Sequence, residues 1–169
     1  MGDFKSLITK RYSCRSYKKD PVPQEHIDLI LEAGQTAPSA CNKKPWRFEA
    51  VKDESQRKRI VEEGFLPGFS MRWALNAPVL IVLGIERSVI THRVAPKISG
   101  IDYALIDIGI AGEHIVLQAT ELELGTCWIG WIRPGQVRNI IGWPKSIEPQ
   151  AIISVGSCND QAKETRKKD

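Results

Sequence analysis

The sequence predicts an α+β fold with a mixed central sheet flanked by helices. Three observations lead there. Two helical patterns precede the first strand pattern, and strands and helices then alternate irregularly. One apolar run, Ala77-Pro78-Val79-Leu80-Ile81-Val82-Leu83, suits a central strand buried on both faces. No Gly-x-Gly-x-x-Gly follows any strand and no P-loop occurs, so a doubly wound nucleotide-binding fold finds no support.

Each element has its own signal. Phe4, Leu7, Ile8 and Arg11 fall at i, i+3, i+4 and i+7, which predicts a short helix over 3–11. An irregular stretch follows over 12–20. Pro23 suits the first turn of a second helix over 24–34, whose buried stripe is Ile27, Ile30 and Leu31. Small and turn-forming residues make 35–45 a loop. Alternation over 46–51 predicts a strand with Trp46, Phe48 and Ala50 on one face. A charged helix follows over 54–63, a breaker region over 64–68, the central strand over 78–85 and an exposed loop over 86–100. Leu105, Ile108, Ala111, Ile115 and Ala119 mark a long helix over 101–122. Gly109 and Gly112 interrupt it at a cost near 1 kcal/mol each. Close backbone packing and a slightly weak helix are the two explanations. A strand over 126–132, a short helix over 134–141 and a last strand over 151–155 complete the order. The polar tail from Ser157 needs something to hold it.

The chain of 169 residues suits one domain, 1–169, with 156–169 as its tail. Apolar residues at 42% and charged residues at 26% are ordinary for a globular protein. The apolar run is too short to cross a bilayer, and Met1-Gly2-Asp3-Phe4-Lys5 lacks the apolar segment of a signal peptide. A cytoplasmic protein without a membrane partner is the expectation. The four cysteines, Cys14, Cys41, Cys127 and Cys158, are scattered and form no C-x-x-C, so they are expected to stay reduced without a disulfide framework. With His26, His92 and His114 they show no ligand spacing, and no metal is expected. The net charge is +4, with basic residues gathered at 10–19, 43–47 and 163–168. Solvated surface explains most of them, and convergence on a phosphate is the sharper reading. No nucleic-acid motif accompanies them, so no nucleic-acid partner is expected.

Three segments carry chemistry. In extended Arg11-Tyr12-Ser13-Cys14-Arg15, side chains two apart share a face, which groups Arg11, Ser13 and Arg15. Two guanidinium forks flanking a hydroxyl suit a phosphate monoester; a plain basic turn is the alternative. Ala37-Pro38-Ser39-Ala40-Cys41-Asn42-Lys43-Lys44-Pro45-Trp46 reads as a rigid loop that lets a flat ligand approach its backbone, or as an ordinary helix-to-strand connection. In Leu124-Gly125-Thr126-Cys127-Trp128-Ile129-Gly130, Gly130 lets a ring system rest against the backbone; a core strand with a bulge glycine is the plain alternative.

Together with Asn76-Ala77-Pro78 and Asp107-Ile108-Gly109, these segments resemble, in order and over nearly the whole chain, the nitroreductase family of FMN flavoproteins. The resemblance implies an interlocked homodimer with flavin sites at the interface. Arg11, Ser13 and Arg15, with the Tyr12 backbone nearby, would hold the FMN phosphate, ribityl chain and pyrimidine edge. Pro38, Ser39, Ala40 and Asn42 would come from the second subunit and lie over the flavin. Cys127, Trp128, Ile129 and Gly130 would form the flavin strand, with Ile129 and Gly130 at the central ring. Lys163 or Arg166 would supply a basic residue for the phosphate, and Ser70 loosely matches an Asn that meets the pyrimidine edge. The helix over 101–122 resembles the main subunit contact.

Two departures stand out: Lys44 replaces a common Gln, and Ala40 replaces a frequent Ser. Compared with many members of that family, the chain is also shorter and lacks a longer helical insertion over the substrate face. The implied reaction is ping-pong. NADH or NADPH gives hydride to flavin N5, and an electron-poor small-molecule acceptor such as a nitroaromatic or quinone is then reduced. The flavin carries the chemistry, so no side chain is assigned as catalytic acid or base. Arg15, with Lys44 as a further source, would supply positive charge to the reduced flavin. Cys41 and Cys127 read as packing residues before redox ones. The alternatives are a non-catalytic flavin-binding or delivery protein and another reduction on the same scaffold, such as dehalogenation.

Overall fold

A computed structural model describes residues 4–68, 71–86 and 100–159. The elements are α1 (Phe4–Lys10), α2 (Gln24–Gln35), β1 (Trp46–Val51), α3 (Glu54–Glu63), β2 (Val79–Glu86), α4 (Tyr103–Glu121), β3 (Gly125–Ile129), α5 (Pro134–Ile141) and β4 (Ile147–Gly156). Short 3-10 turns occupy Ala40–Asn42 and Arg72–Asn76. The expected exposed loop over 86–100 falls largely outside the described residues, as do Ser70, Lys163 and Arg166.

The sheet order is β1-β2-β4-β3, and the ladders between these strands are antiparallel. Among the described residues, the mixed character comes from a parallel bridge, Ser13 to Thr126, on the outer edge of β3. β2 is the central strand that its apolar run predicts, with every residue from Val79 to Ile85 buried. Alternation divides it between two cores. Val79, Ile81, Leu83 and Ile85 join Ile27 and Ile30 of α2 and Ala111 and Ile115 of α4. Leu80 and Val82 join Ile60 of α3 and Val137 and Ile140 of α5 on the other face. Trp46, Phe48 and Ala50 of β1 all pack on the first core, as their alternation requires.

The last strand begins at Ile147 rather than 151. Pro149 reads as a strand breaker, yet it sits where the register shifts between Leu83 and Gly84, a bulge at which one ladder bond is dispensable. β3 stops at Ile129 rather than 132. Ile132 pairs instead with Phe65 in an isolated bridge.

The cysteine expectation is corrected. Cys14 and Cys158 are paired as a disulfide, with Cα atoms 6.4 Å apart and a sequence separation of 144. Cys41 and Cys127 remain free. Spacing gives no hint of this pair, because only the placement of both chain ends beside β3 brings the two residues together.

Candidate functional site

After α1 the chain extends along the outer edge of β3. Cys14 N–H donates to the Thr126 carbonyl at 2.8 Å, and Tyr17 bridges Cys158. This pairing enforces alternation. Cys14 turns inward between exposed Ser13 and Arg15; the two-residue period ends there, since Tyr17, three residues after Cys14, is buried as well. The Tyr17 hydroxyl donates to the Cys14 carbonyl at 2.8 Å and lies 2.7 Å from Ser154 Oγ, so the arm is fastened from below. Burial pushes the Tyr17 hydroxyl well above its ordinary pKa, outweighing the Ser154 hydrogen bond.

Cys127 of β3 gathers the arm's polar side chains. Burial pushes its thiol up, against opposing effects from the Arg15 charge, from contacts with Ser13 and Arg15, and from the Arg11 charge. Ser13 and Arg15 thus meet Cys127 at the sheet edge, and Arg11, whose N–H still bonds the Leu7 carbonyl at the end of α1, acts on it through its charge. Their donors make a cationic cluster beside a neutral thiol, which is suited to an anion and unsuited to thiolate chemistry.

The loop after α2 is built differently. Cys41 and Asn42 (φ 52° each) and Lys44 (φ 44°) all lie in the left-handed region. Such residues cost of order 1–3 kcal/mol each and persist only where surroundings fix them. Ser39 Oγ accepts from Lys44 N–H at 2.9 Å, and the Asn42 N–H reaches the Ser39 carbonyl at 2.9 Å. Lys44 Nζ turns back to the Gln35 carbonyl at 3.1 Å. Beneath them Asp107 of α4, 3% exposed, accepts from Ala40 N–H at 2.9 Å through Oδ1. Its buried Oδ2 has no hydrogen-bond partner among the described residues. Pro38, Asn42 and Lys44 are left facing outward on a braced loop.

The third segment ends in open space. Ile129 is buried, whereas Gly130 is exposed, and a Cβ added there would meet nothing within 4 Å. Trp128 is 39% exposed and lies across Gly112 of α4, where a Cβ would run into the indole. Close packing thus explains Gly112. Gly109, with nothing within 4 Å of its added Cβ, is simply a weak helical position.

These residues fit FMN: a guanidinium-and-hydroxyl cluster for the phosphate, and an unobstructed glycine backbone just past the end of the same edge strand for the ring. The loop at 38–44 is braced on α4 while the arm lies on β3. A separate cleft of about 550 Å³ is lined by Phe65, Leu66, Met71, Arg72 and Arg133 among others, and none of the predicted residues among the described ones lines it. Two contributors escape the sequence reading as site residues. Asp107 had a signal, since it stands in the buried stripe with Ala104 and Ala111, where a carboxylate needs a partner. Cys158 had none.

The profile of the family described as "Nitroreductase family" matches residues 8–65 and 66–157. An NADH dehydrogenase of Thermus thermophilus is 41% identical over 180 residues, covering 91% of this chain and 86% of that one. An FMN reductase [NAD(P)H] of Bacillus subtilis is 32% identical over 174 residues, covering 96% and 68%. The crystal structure of a nitroreductase family protein from Clostridium novyi NT superposes with a TM-score of 0.84 at 27% identity, covering 96% of this chain and 88% of that one. An extended basic arm on the sheet edge, a braced loop and an open glycine, in that order along this fold, agree with these matches: the chain belongs to the nitroreductase family.

Proposed function

We propose that this protein is an FMN-dependent oxidoreductase that uses NADH or NADPH to reduce electron-poor small molecules such as nitroaromatics or quinones. The observation that carries the reading is the contact of Ser13 and Arg15 with Cys127 of β3, with the Arg11 charge acting on the same thiol, on the strand that ends beside the open backbone of Gly130. The flavin, when bound, supplies the two-electron chemistry, accepting hydride from the nicotinamide and passing reducing equivalents to the acceptor.

The chain's own residues bind and orient. Arg11, Ser13 and Arg15 hold the phosphate side, with paired charged donors that suit an oxyanion. Arg15 carries a fixed positive charge that favours the reduced, more negative cofactor. Gly130 keeps the face of the strand end clear, and buried Ile129 backs it. Pro38, Ser39, Ala40 and Asn42 serve the second subunit's site; their loop is rigid because Asp107 braces it. Dimerisation is supported by the apolar residues left exposed on and beside α1 and α4: Phe4, Ile8, Ile101, Leu105, Ile106 and Ile110. Several large apolar residues left exposed on two helices support an interface there. Lys163 and Arg166 keep their assignment to the phosphate as part of this proposal.

Initial rates measured against both substrates test the cycle. Parallel double-reciprocal lines for NAD(P)H and the acceptor are expected. Intersecting lines would contradict the ping-pong order. Firm FMN binding with no NAD(P)H oxidation by any acceptor would favour a flavin carrier instead.

A further inference from the structure

The disulfide pair lies outside the roles assigned so far. We propose that Cys14 and Cys158 form a reversible thiol–disulfide exchange site for low-molecular-weight dithiols and disulfides, and that its oxidation state sets how firmly the 11–15 arm holds its ligand. The last clause rests on the reading of that arm as the FMN phosphate site.

Position supports the assignment. Cys14 lies between Ser13 and Arg15, so the bond is made within the arm itself. Its partner follows β4 directly. Around the bond, Lys18 N–H donates to the Ser157 carbonyl at 2.8 Å, Asn159 N–H to the Ser16 carbonyl at 3.0 Å and Asn159 Nδ2 to Ser16 Oγ at 2.9 Å. The bond therefore locks residues 14–18 to residues 157–159. Gly125 supplies the room, since a Cβ there would overlap Cys158 Sγ. Access is one-sided: Cys14 is fully buried, whereas Cys158 is half-buried. The pair is not an electron relay to the ring. It adjoins Gly125, and five residues of strand, ~17 Å, separate Gly125 from Gly130.

The exchange follows from that access. A dithiol's thiolate attacks Cys158 Sγ; the Sγ–Sγ bond breaks, and Cys14 leaves as a thiolate that takes up a proton. The reagent's second thiol then displaces Cys158, which becomes a thiol, and the reagent closes to a cyclic disulfide. Two electrons and two protons pass from reagent to protein. In the reverse direction Cys158 attacks a small disulfide and releases one thiol. Cys14 then attacks the mixed disulfide and releases the second.

The test uses the full-length protein treated with dithiothreitol or with oxidised glutathione. Alkylation mass shifts report Cys14 and Cys158, flavin fluorescence gives the FMN Kd, and hydrogen exchange without flavin reports residues 11–18. We expect the pair to open and close with the reagents. Reduction should raise the Kd at least about tenfold, and Cys158→Ser should show the weaker Kd under both treatments. A bond that never opens in excess dithiothreitol, or equal exchange of 11–18 in both states, overturns the proposal. A Kd that changes less than twofold overturns it as well. Faster exchange on reduction with no FMN binding in either state would sustain the clamp and end the phosphate reading alone.

Discussion

Arg15 reaches Cys127 from an exposed position on the arm, which makes it the residue whose removal separates binding from folding. A charge-assisted hydrogen bond is worth roughly 1.5–3 kcal/mol, and each 1.4 kcal/mol is about tenfold in affinity. Arg15→Ala is therefore expected to weaken FMN binding roughly ten- to hundredfold and to lower the flavin's reduction potential, with little change in melting temperature. Unchanged flavin content and potential would remove the role. Tyr17 gives a prediction of the opposite kind, in stability and not in binding. Folded Tyr17 keeps its proton at pH values where an unfolded tyrosine, with pKa near 10.0, has lost it. Above that value the unfolded state binds fewer protons, so its contribution to stability is complete below about pH 10 and declines as pH rises. The slope is about 1.4 kcal/mol per pH unit. Tyr17→Phe should be less stable at neutral pH, having lost the Cys14 and Ser154 hydrogen bonds. Its urea-unfolding free energy should nevertheless lack that alkaline slope; an identical slope in both proteins would contradict the assignment.

At the scale of elements, Gly112 and Gly109 make a matched pair. Gly112→Ala pushes a methyl group into the Trp128 indole, and overpacking of this kind costs about 1–3 kcal/mol. Gly109→Ala has open space and gains helix propensity of up to about 1 kcal/mol. Urea unfolding of both variants should rank them in that order, and the reverse order would mean that α4 does not lie against β3 as described. The sequence foretold the glycines as a pair but not which one was packed, because the indole comes from a different element. The same division runs through the whole reading. Elements closed by local chemistry were legible to the residue: α3 is capped by Asp53, whose side chain accepts from Gln56 N–H at 2.8 Å, and α5 lies between Pro134 and the left-handed Gly142. Periodicity also located β1 and the doubly buried β2. Features made by distant partners were not legible. Pro149 hid the start of β4, because only its neighbour across the sheet shows that it sits at a bulge. Asp107 looked like part of a motif until the Ala40 N–H gave it a task. The Cys14–Cys158 pair depends on both chain ends meeting at one edge. The shared outward face of Ser13 and Arg15 was readable from alternation, whereas Arg11 belongs to the end of α1, where its N–H bonds the Leu7 carbonyl.

For the whole molecule, the site is read as incomplete in one chain. The loop at 38–44 is braced on α4, and α4 and its surroundings expose Ile101, Leu105, Ile106 and Ile110. A charged residue in that patch should block association. Ile106→Glu is expected to elute as a monomer in size-exclusion chromatography and to lose FMN, although Ile106 is not among the residues assigned to the flavin. A monomeric variant that keeps its full flavin would show that one chain suffices. The central claim is that arm, glycine edge and partner loop enclose a flavin. The most direct measurement is the visible spectrum of the purified protein after FMN is added and free flavin removed, taken beside the Arg11→Ala/Arg15→Ala double variant. The account predicts a yellow protein with about one FMN per chain and a nearly colourless, folded variant. A colourless wild-type protein that takes up no FMN, or a double variant that keeps its flavin, would contradict it.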